Sequence, residues 1–499
     1  MHTLRKILCL SLLLLAVPAG AREIRSPSAL NNPTFTIGTV TGSASEPKAD
    51  IILANAGKKR FATVGDALLA LKHGSVDAVV YNGTILNNAA AENPGTLRIL
   101  DEALDYSDMC MALSPKTKYA TLHDELEEFI QARAANGELK KLYRLWNDDI
   151  NREMPSAPEF ENPAGTLQVG TQGTMPPLSF YRGKQLVGAN IELIFNFAKE
   201  YNYNVEFRVE NLTAQLNDAE FGKIDMLDGT MYYSEERAEK VDFIMTPLQR
   251  APVSVMVLAE AAPKANFWGK ILASAEKTFL REERWRMLLS GLEITLFLAA
   301  GTLVLGTLLG FAFCLVKRSG PWPFRAVMNS FIALIGGTPI VLTLMICFYI
   351  VFSGTGLGEI AVAIIAFSID FGCHVALTLD SGLNAVPAGE VEAADAMGFS
   401  KFQTFREIQF PQALGKIFSL YKAQVVAMIK STSIVGYISV QDLTKVSDII
   451  RSRTYEAFFS LVTTALIYFL IARSCLALLG RAGDSLTGRH IIKGVERME

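Results

Sequence analysis

Five long apolar segments in the second half of the chain constrain its fold more than any other feature. They lie at about 288–316, 327–352, 359–379, 421–440 and 458–479. Each is close to or above the ~20 apolar residues that a helix needs to cross the hydrocarbon core of a bilayer. Two lysines, Lys422 and Lys430, interrupt the fourth segment. The pattern predicts an all-α membrane domain with five spans over residues 288–482.

The first half of the chain has a different composition. Apolar residues make up 50% of the 499 residues and the net charge is −3, but charged residues are abundant before about Arg286 and sparse after it. Length alone allows roughly three domains of about 150 residues each. The sequence therefore predicts a water-soluble part joined to the membrane domain.

The N-terminus predicts an export signal over residues 1–21. Basic residues precede an apolar run at 7–17, and an A-x-A cleavage site follows at 19–21. The apolar run is too short to span a bilayer. We therefore expect the segment from residue 22 to be exported to the periplasm of a bacterial cell.

This export fixes the orientation of a multi-pass protein in the inner membrane. The first span then runs inward, which places the basic loop 317–325, the loop 387–415 and the tail 483–499 in the cytoplasm. The two basic segments obey the positive-inside rule. Arg451 and Arg453 fall outside and oppose it, which a folded periplasmic connection would explain.

The loop 387–415 carries the most informative motif. Glu392-Ala393-Ala394 favours a helix, and Gly398 allows the chain to turn at positive φ. Apolar residues at helical spacing follow, and Pro411 is expected to break the hydrogen-bond ladder before the next span. The tripeptide alone is typical of an ordinary amphipathic loop. Together with Gly398 and Pro411-Gln412-Ala413 it predicts a low-relief surface that another protein can bind.

This loop resembles the coupling loop of bacterial ABC-importer permeases of the polar amino-acid uptake family. Three other segments agree in order, namely Gly337-Thr338-Pro339, residues 430–435 and residues 448–454. The resemblance covers about 288–479. It implies that a separate ABC ATPase dimer docks on the coupling residues, which are Glu392, Ala393, Ala394, Gly398 and Pro411. It also implies a second permease half, either another copy or a paralogue.

The translocation path is assigned from the same resemblance and from intramembrane charge. Thr338 and Pro339 belong to the matching motif, and Asp370 and Lys430 are ionisable residues within spans, where such residues are usually functional. The chain departs from the family at Gly336, Leu377 and Asp380, where the family usually has other residues. An altered path is therefore expected.

The exported part resembles a periplasmic amino-acid-binding protein whose α/β lobes occur in reversed order. Residues 22–150 resemble the second lobe with the terminal helices, and 165–260 resemble the first lobe. We interpret this order as a circular permutation joined by a linker at 151–164. One covalent crossing between the lobes, near 109–113, is then expected. The segment 261–287 mixes aromatic and basic residues and predicts an amphipathic helix at the membrane interface.

The resemblance also implies a ligand pocket. Arg237 matches the arginine that binds the ligand carboxylate in a bidentate manner, and Thr230 and Ser43 occupy neighbouring pocket positions. Asn82 and Gln172 stand where the family has the carboxylates that bind the ligand ammonium group. Asp228 is either a substitute for them or a turn residue. We therefore expect a carboxylate ligand that is not a standard α-amino acid, or one that binds weakly.

Several other classes of function are disfavoured. The chain has no Gly-x-x-x-x-Gly-Lys-Ser/Thr phosphate loop, and its five histidines show no metal-ligand spacing. We expect no catalytic site, metal or cofactor, and no nucleic-acid partner; membrane lipid and a small amino acid or carboxylate are the expected contacts. The alternative to a transporter is a membrane-bound ligand sensor or ligand-gated pore, which needs no ATPase.

Overall fold

The computed structural model describes residues 24–259, 267–353 and 355–486 and divides into two compact units. The first unit comprises Met1–Arg286 together with Asp448–Ser460, and the second comprises Met287–Ser447 together with Leu461–Glu499. The predicted signal at 1–21 and residues 487–499 of the predicted tail lie outside the described residues.

The first unit is an α/β fold on one mixed sheet of ten strands. Along the sheet the strands follow the order β10-β6-β11-β5-β13-β3-β1-β2, while β12 pairs with β5, β4 pairs with β13, and β7-β8-β9 form a separate small sheet. The strands are β1 (Thr36–Val40), β2 (Gly57–Phe61), β3 (Ala78–Asn82), β4 (Leu97–Ile99), β5 (Asp105–Leu113), β6 (Gly165–Thr171), β7 (Thr174–Met175), β8 (Ser179–Arg182), β9 (Gln185–Val187), β10 (Tyr203–Val209), β11 (Met226–Tyr232), β12 (Asp242–Phe243) and β13 (Gln249–Leu258).

Helices cover the sheet and alternate with its strands. They are α1 (Ser45–Ile52), α2 (Val64–Lys72), α3 (Gly83–Glu92), α4 (Leu122–Ala135), α5 (Glu138–Asp148), α6 (Ala189–Glu200), α7 (Leu212–Glu220) and α8 (Glu235–Ala238). The central strands β3 and β11 are buried along their whole length. Parallel strands buried on both faces are the expected result of this alternation.

The sheet divides the unit into two lobes. Lobe A, residues 24–104, is built on β1, β2, β3 and β4, and lobe B, residues 114–248, is built on β6, β10 and β11. Within each lobe the neighbouring strands β1 and β3, or β6 and β11, are parallel. This two-lobe α/β architecture agrees with the predicted fold class.

Two strands cross between the lobes, so the prediction of a single crossing is wrong. β5 pairs with β13 antiparallel from Asp105 to Met109 and then continues into lobe B beside β11. β13 runs the other way and pairs with β3 and β4 of lobe A up to Leu258. The second crossing survives because the chain leaves the sheet after β13. An antiparallel hinge pair therefore joins the lobes.

The linker at 151–164 and the segment that follows β13 both pack on other parts of the first unit. In the linker, Arg152 pairs with Glu192 of α6 at 3.1 Å. After the sheet come α9 (Phe267–Ala275), a π turn (Glu276–Leu280) and a 3₁₀ turn (Arg281–Glu283). Lys277 donates to Glu92 O at 3.1 Å, and Arg281 pairs with the Glu92 carboxylate at 2.8 Å. The segment therefore packs on lobe A, and the lipid interface that its composition predicts stays a prediction.

The second unit is helical. It contains most of α10 (Arg284–Ser319), then α11 (Trp322–Gly337), α12 (Ile340–Ile346) with a π turn (Cys347–Val351), α13 (Glu359–Asn384), α14 (Ala388–Ala396), α15 (Lys401–Gln403) with a π turn (Thr404–Gln409), α16 (Phe410–Ser431) with a 3₁₀ turn (Thr432–Ile438), the start of α17 (Leu443–Thr454) and most of α18 (Phe458–Leu486). Among the described residues, three helices are long and apolar enough to span a membrane, or up to five if each bent pair is one span.

Close packing of α10 against α13 rests on small residues. A Cβ built on Gly310 would lie 2.5 Å from Val375 Cβ, and one built on Gly306 would lie 3.1 Å from Ser368 O. Glycines four residues apart let membrane helices approach each other closely. The spacing of these glycines therefore holds the first and third spans together.

The conformation of Gly188, at the start of α6, generates a stability prediction. Its φ is +130° and an added Cβ would lie 2.2 Å from Leu178 O, whereas Gly137 has φ +78° and no atom within 4 Å of its added Cβ. We expect Gly188→Ala to destabilise the protein by about 3 kcal/mol and Gly137→Ala by about 1 kcal/mol. Thermal unfolding of the purified full chain in detergent measures both. Equal losses for the two variants would contradict the packing at Gly188.

Candidate functional site

Arg237 lies between the two lobes. It follows β11 on the short helix α8, and only 8% of the residue is exposed. Its Nη1 donates to Tyr232 O at 2.7 Å in lobe B, and its Nη2 donates to Gly42 O in lobe A. Arg237 therefore bonds directly across the cleft.

The charge of Arg237 is not neutralised by a contacting carboxylate. Both of its described hydrogen bonds go to backbone carbonyls, and none of the ion pairs among the described residues includes it. Burial lowers the pKa of Arg237, and Tyr81, Glu236 and Glu46 partly oppose this effect at longer range. A buried guanidinium is costly without an anion beside it. An incoming carboxylate would supply that anion.

Ser43 lies next to Arg237. It follows Gly42, which has φ +71°, in the turn after β1. Its hydroxyl is buried and has no hydrogen-bond partner in the described part of the chain. Buried polar atoms are normally satisfied, so an unpaired hydroxyl beside a buried cation is suited to binding a polar ligand. The structure thus places the turn that contains Ser43 against Arg237, through the Gly42 carbonyl.

Thr230 and Asp228 form a separate, internally satisfied group. Asp228 is fully buried and accepts hydrogen bonds from Thr171 Oγ1 at 2.5 Å, Thr230 N at 3.0 Å and Thr230 Oγ1 at 2.7 Å. Burial raises the pKa of Asp228, and these hydrogen bonds oppose the rise. The geometry favours a structural role for Asp228, which ties β6 to β11.

The remaining pocket candidates have other surroundings. Asn82 caps α3, since its Oδ1 accepts from Thr84 N at 2.8 Å and Ile85 N at 3.2 Å. Gln172 is half-buried in the turn between β6 and β7. Neither residue is a carboxylate, so neither supplies an acid for an ammonium group.

Tyr81 is a cleft residue that the sequence did not reveal. It is buried on β3, beside Asn82. Burial raises its pKa, while the nearby charge of Arg237 lowers it. A tyrosine inside a buried strand is usually a core residue, and only the pairing of lobes shows that this one lies close to Arg237.

The predicted coupling loop folds into a helix, a tight turn and a second helix. α14 ends in a Schellman motif: Phe399 N donates to Ala394 O at 3.1 Å and Gly398 N donates to Asp395 O at 3.0 Å. Gly398 has φ +83°, which suits a residue without Cβ. Ser400 then starts the second helix with a capping box that it forms with Gln403. The turn is therefore rigidly specified.

Pro411 interrupts the hydrogen-bond ladder, as proline must, but the helix does not end there. The helical chain continues from Lys401 through a π turn at Thr404–Gln409 into α16. Proline lacks the N–H of a regular turn and its ring clashes with the preceding turn. The wider π turn just before Pro411 accommodates it without breaking the helix.

The surface of the loop is mixed. Glu392 and Ala393 are exposed, and the apolar Met397 and Phe402 are 68% and 69% exposed. Ala394, by contrast, is completely buried. Of the predicted coupling residues, Ala394 therefore packs inward. Glu392 and Ala393 face outward, as do the apolar residues Met397 and Phe402.

A cavity separates the loop from the spans. Its volume is about 570 Å³, and its lining includes Phe311, Arg318, Leu383, Asp395 and Phe405. These residues come from α10, α13, α14 and the π turn before α16. Packing between α14 and the spans is thus incomplete on this side, which leaves room for the loop to move.

The predicted path residues occupy separate places in the second unit. Thr338 and Pro339 form the break between α11 and α12, whose axes differ by 113°. Asp370 is half-buried on α13 and Lys430 is exposed near the end of α16. Among the described residues, no hydrogen bond or ion pair joins any two of these four.

Asp380, one of the departures from the family pattern, has a clear structural role. It pairs with Lys317 at 2.9 Å and with Arg318 at 2.8 Å. The ion pairs connect the end of α13 to the end of α10, in the region that the sequence places at the cytoplasmic side.

Comparison with known proteins agrees with this description of the second unit. Residues 302–482 match the family described as the binding-protein-dependent transport system inner membrane component. The chain is 28% identical to the putative glutamine transport system permease protein GlnP of Rickettsia conorii over 188 residues, which cover 37% of this chain and 85% of the relative. It is 28% identical to the histidine/lysine/arginine/ornithine permease HisM of Salmonella typhimurium over 219 residues, which cover 40% and 93%.

Solved structures of transport proteins are also similar to parts of the chain. An amino acid ABC transporter crystallised with histidines covers 45% of this chain and 100% of its own, with a TM-score of 0.38 and 27% identity. A putative L-cystine ABC transporter from Listeria monocytogenes covers 49% of this chain and 89% of its own, with a TM-score of 0.23 and 13% identity. The family match supplies the assignment: the C-terminal part of the chain is an inner-membrane permease domain of the binding-protein-dependent transport family.

Proposed function

We propose that this chain is the permease subunit of an ATP-driven importer and carries its own receptor for amino acids or related small carboxylates. The observation that carries the proposal is the buried, unneutralised guanidinium of Arg237 between two lobes. A two-lobe domain with an anion site in its cleft is suited to capturing a small carboxylate. Its covalent attachment to a permease domain supports a receptor that delivers ligand to its own permease at high effective concentration.

The chemistry of the cleft narrows the ligand class. Arg237 presents a planar fork of N–H donors, which suits a carboxylate, and the Ser43 hydroxyl supplies a further donor or acceptor. The two oxygens of Asp228 are already bonded, and Asn82 caps a helix. The ligand is thus recognised through its carboxylate, without an acid dedicated to an ammonium group.

ATP hydrolysis is assigned to a separate ABC ATPase dimer. Its docking site is the turn formed by α14 and the following helix, where Glu392, Ala393 and Met397 are exposed. A second permease half, identical or paralogous, would complete the path lined by Thr338, Pro339, Asp370 and Lys430. The receptor domain would lie in the periplasm and the C-terminus in the cytoplasm, with membrane lipid around the spans.

In the proposed importer, ligand binding to the receptor, the state of the permease and closure of the ATPase dimer are coupled in sequence. Ligand binding stabilises the arrangement in which the lobes meet at Arg237, and this arrangement favours an outward-facing permease. Closure of the ATPase dimer moves the rigid turn at Gly398, and the cavity beneath α14 gives it room. A membrane-bound sensor or ligand-gated pore is the competing class, and it predicts no ATPase partner.

Ligand recognition through the carboxylate is directly measurable. Calorimetry of the purified full chain against amino acids, related acids and their amides should show binding only for members with a free carboxylate. We expect Arg237→Ala to weaken that binding about 100-fold, because a charge-assisted bond contributes up to about 3 kcal/mol. Arg60→Ala is the matched control, since Arg60 is an exposed arginine on β2. Equal binding of acids and amides would contradict the proposed ligand class.

Asp228 can be tested by paired variants. Asp228→Asn keeps acceptor and donor groups for Thr230 and Thr171, so we expect stability and ligand affinity close to those of the original chain. Asp228→Ala leaves those groups unsatisfied and should destabilise the protein by about 2 kcal/mol. Thermal unfolding and calorimetry distinguish the two. If Asp228→Asn abolishes binding of amino compounds without loss of stability, Asp228 is instead the partner of an ammonium group.

The docking site is tested by charge reversal. Glu392→Lys should reduce co-purification of the ATPase encoded beside this chain at least about 10-fold, because an unfavourable charge at an interface costs affinity. Ligand binding should remain intact. Glu220→Lys introduces the same change at an exposed position of α7 in the first unit and serves as control. No association of the original chain with any ATPase would favour the sensor.

A further inference from the structure

The connection that precedes the final helix belongs to the receptor unit rather than to the permease unit. Asp448–Ser460 and Met1–Arg286 form one compact unit. Residues 451–456, which we name the clasp, contact both lobes. The clasp forms ion pairs and hydrogen bonds with the lobes, and some of its residues are buried. A segment that only connects two helices does not need such contacts.

On lobe A the clasp is held at the start of α2. Arg451 Nη1 pairs with Asp66 Oδ1 at 2.5 Å, although the two residues lie 385 positions apart in the sequence. The backbones also meet closely, because a Cβ built on Gly65 would lie 2.7 Å from Ser452 Cα. A larger residue at position 65 would push the clasp away.

Lys72 holds the clasp at the other end of α2. Its Nζ donates to Tyr455 O at 2.8 Å and pairs with Glu456 Oε1 at 3.2 Å. Glu456 in turn accepts a hydrogen bond from Ser274 Oγ at 3.1 Å. Helix α2 therefore binds the clasp at both ends.

On lobe B the clasp is held by Arg453. Its Nη1 donates to Tyr181 O, and its guanidinium lies 4.6 Å from the ring centroid of Phe180. Its Nη2 pairs with Glu282 Oε1 at 3.0 Å. Only 8% of Arg453 is exposed, so these partners replace its hydration. Stacking on an aromatic ring and bonding to a carbonyl are both favourable for arginine.

Tyr455 is the residue of the clasp that is buried among side chains of both lobes. It is 1% exposed and belongs to the same apolar cluster as Tyr81 and Phe180, which lie on different lobes. Its φ of +54° is unusual for a residue with a side chain and costs energy that the surroundings must offset. Burial raises the pKa of Tyr81, the nearby charge of Arg237 lowers it, and Tyr455 raises it. The clasp thus reaches the neighbourhood of the ligand site.

Geometry limits how the lobes can separate. Arg451 and Arg453 are two residues apart, so the chain between their Cα atoms spans at most about 7 Å. One binds lobe A and the other binds lobe B. Separation of the lobes must therefore either break the contacts of the clasp with one lobe or move the clasp together with the other lobe. The helix α18 begins at Phe458, two residues after Glu456.

We propose that the clasp holds the two lobes in the arrangement where Arg237 bonds across the cleft, and that it couples lobe opening to the start of α18. This inference rests on the proposed function, because it takes the cleft at Arg237 as the ligand site. Arg451, Arg453 and Tyr455 are positioning residues that touch no ligand. Coupling is reciprocal, so a state of the permease that displaces α18 shifts the opening of the lobes by the same factor that ligand closure shifts the permease.

The test measures the lobes directly. Spin labels at Ile51 in lobe A and Met245 in lobe B, which are 77% and 65% exposed, report the distance between lobes in the full chain after its native cysteines are replaced by alanine. In detergent without ligand, we expect one short distance. Asp66→Arg or Arg451→Asp should raise the fraction with a longer distance at least about 5-fold, the lower end of typical coupling.

Charge exchange provides the decisive control. Combining Asp66→Arg with Arg451→Asp restores opposite charges and should restore the short distance. Arg60→Asp breaks ion pairs with Glu46 and Asp50 inside lobe A and should leave the distance unchanged. If the single variants keep the short distance, the clasp does not hold the lobes and the proposal is overturned.

Two further measurements cover other outcomes. If Asp66→Arg fails to fold, Lys72→Met removes a partly exposed partner of the clasp, and an unchanged distance in that variant overturns the proposal as well. With the ATPase bound and trapped by ADP and vanadate, the distance should change in the original chain and not in Arg451→Asp. Absence of any ATPase would refute the proposed importer, while the detergent measurement would still decide the role of the clasp in holding the lobes.

Discussion

The buried charge of Arg237 is the interaction on which this account of the receptor domain depends. Its guanidinium bonds to carbonyls of both lobes, so its burial requires the lobes to meet. Carbonyl dipoles stabilise a cation only partly, and burial still lowers the pKa of Arg237. The cleft is therefore electrostatically incomplete, and a carboxylate ligand would complete it.

The hinge pair and the clasp both join the two lobes. β5 and β13 pair antiparallel and connect the lobes covalently. The clasp binds both lobes through Arg451 and Arg453. Of the described segments, the one that leads into α10 contacts lobe A through Lys277, and the one that leads into α18 contacts it through Lys72.

Local sequence patterns predicted much of the fold and part of the site. The turn at Gly398 follows from glycine conformation, which acts over a few residues, and the contact of Arg237 with the Ser43 turn is implied by the resemblance to amino-acid-binding proteins. Three features of the structure are not predicted by such local patterns. The helix continues through Pro411 by means of a π turn, which has no clear sequence pattern. The crossing by β13 depends on strand pairing between distant parts of the chain. The bond between Asp66 and Arg451 joins residues 385 positions apart, and no local pattern contains it.

The central claim is that one chain contains both the receptor and the permease of an importer. Its most direct test is uptake by proteoliposomes that contain this chain and its partner ATPase, with ATP inside, a labelled carboxylate outside and no separate binding protein. The account predicts ATP-dependent accumulation of the label against its gradient. Uptake that appears only after a separate soluble binding protein is added would contradict it, and so would uptake that never exceeds equilibration.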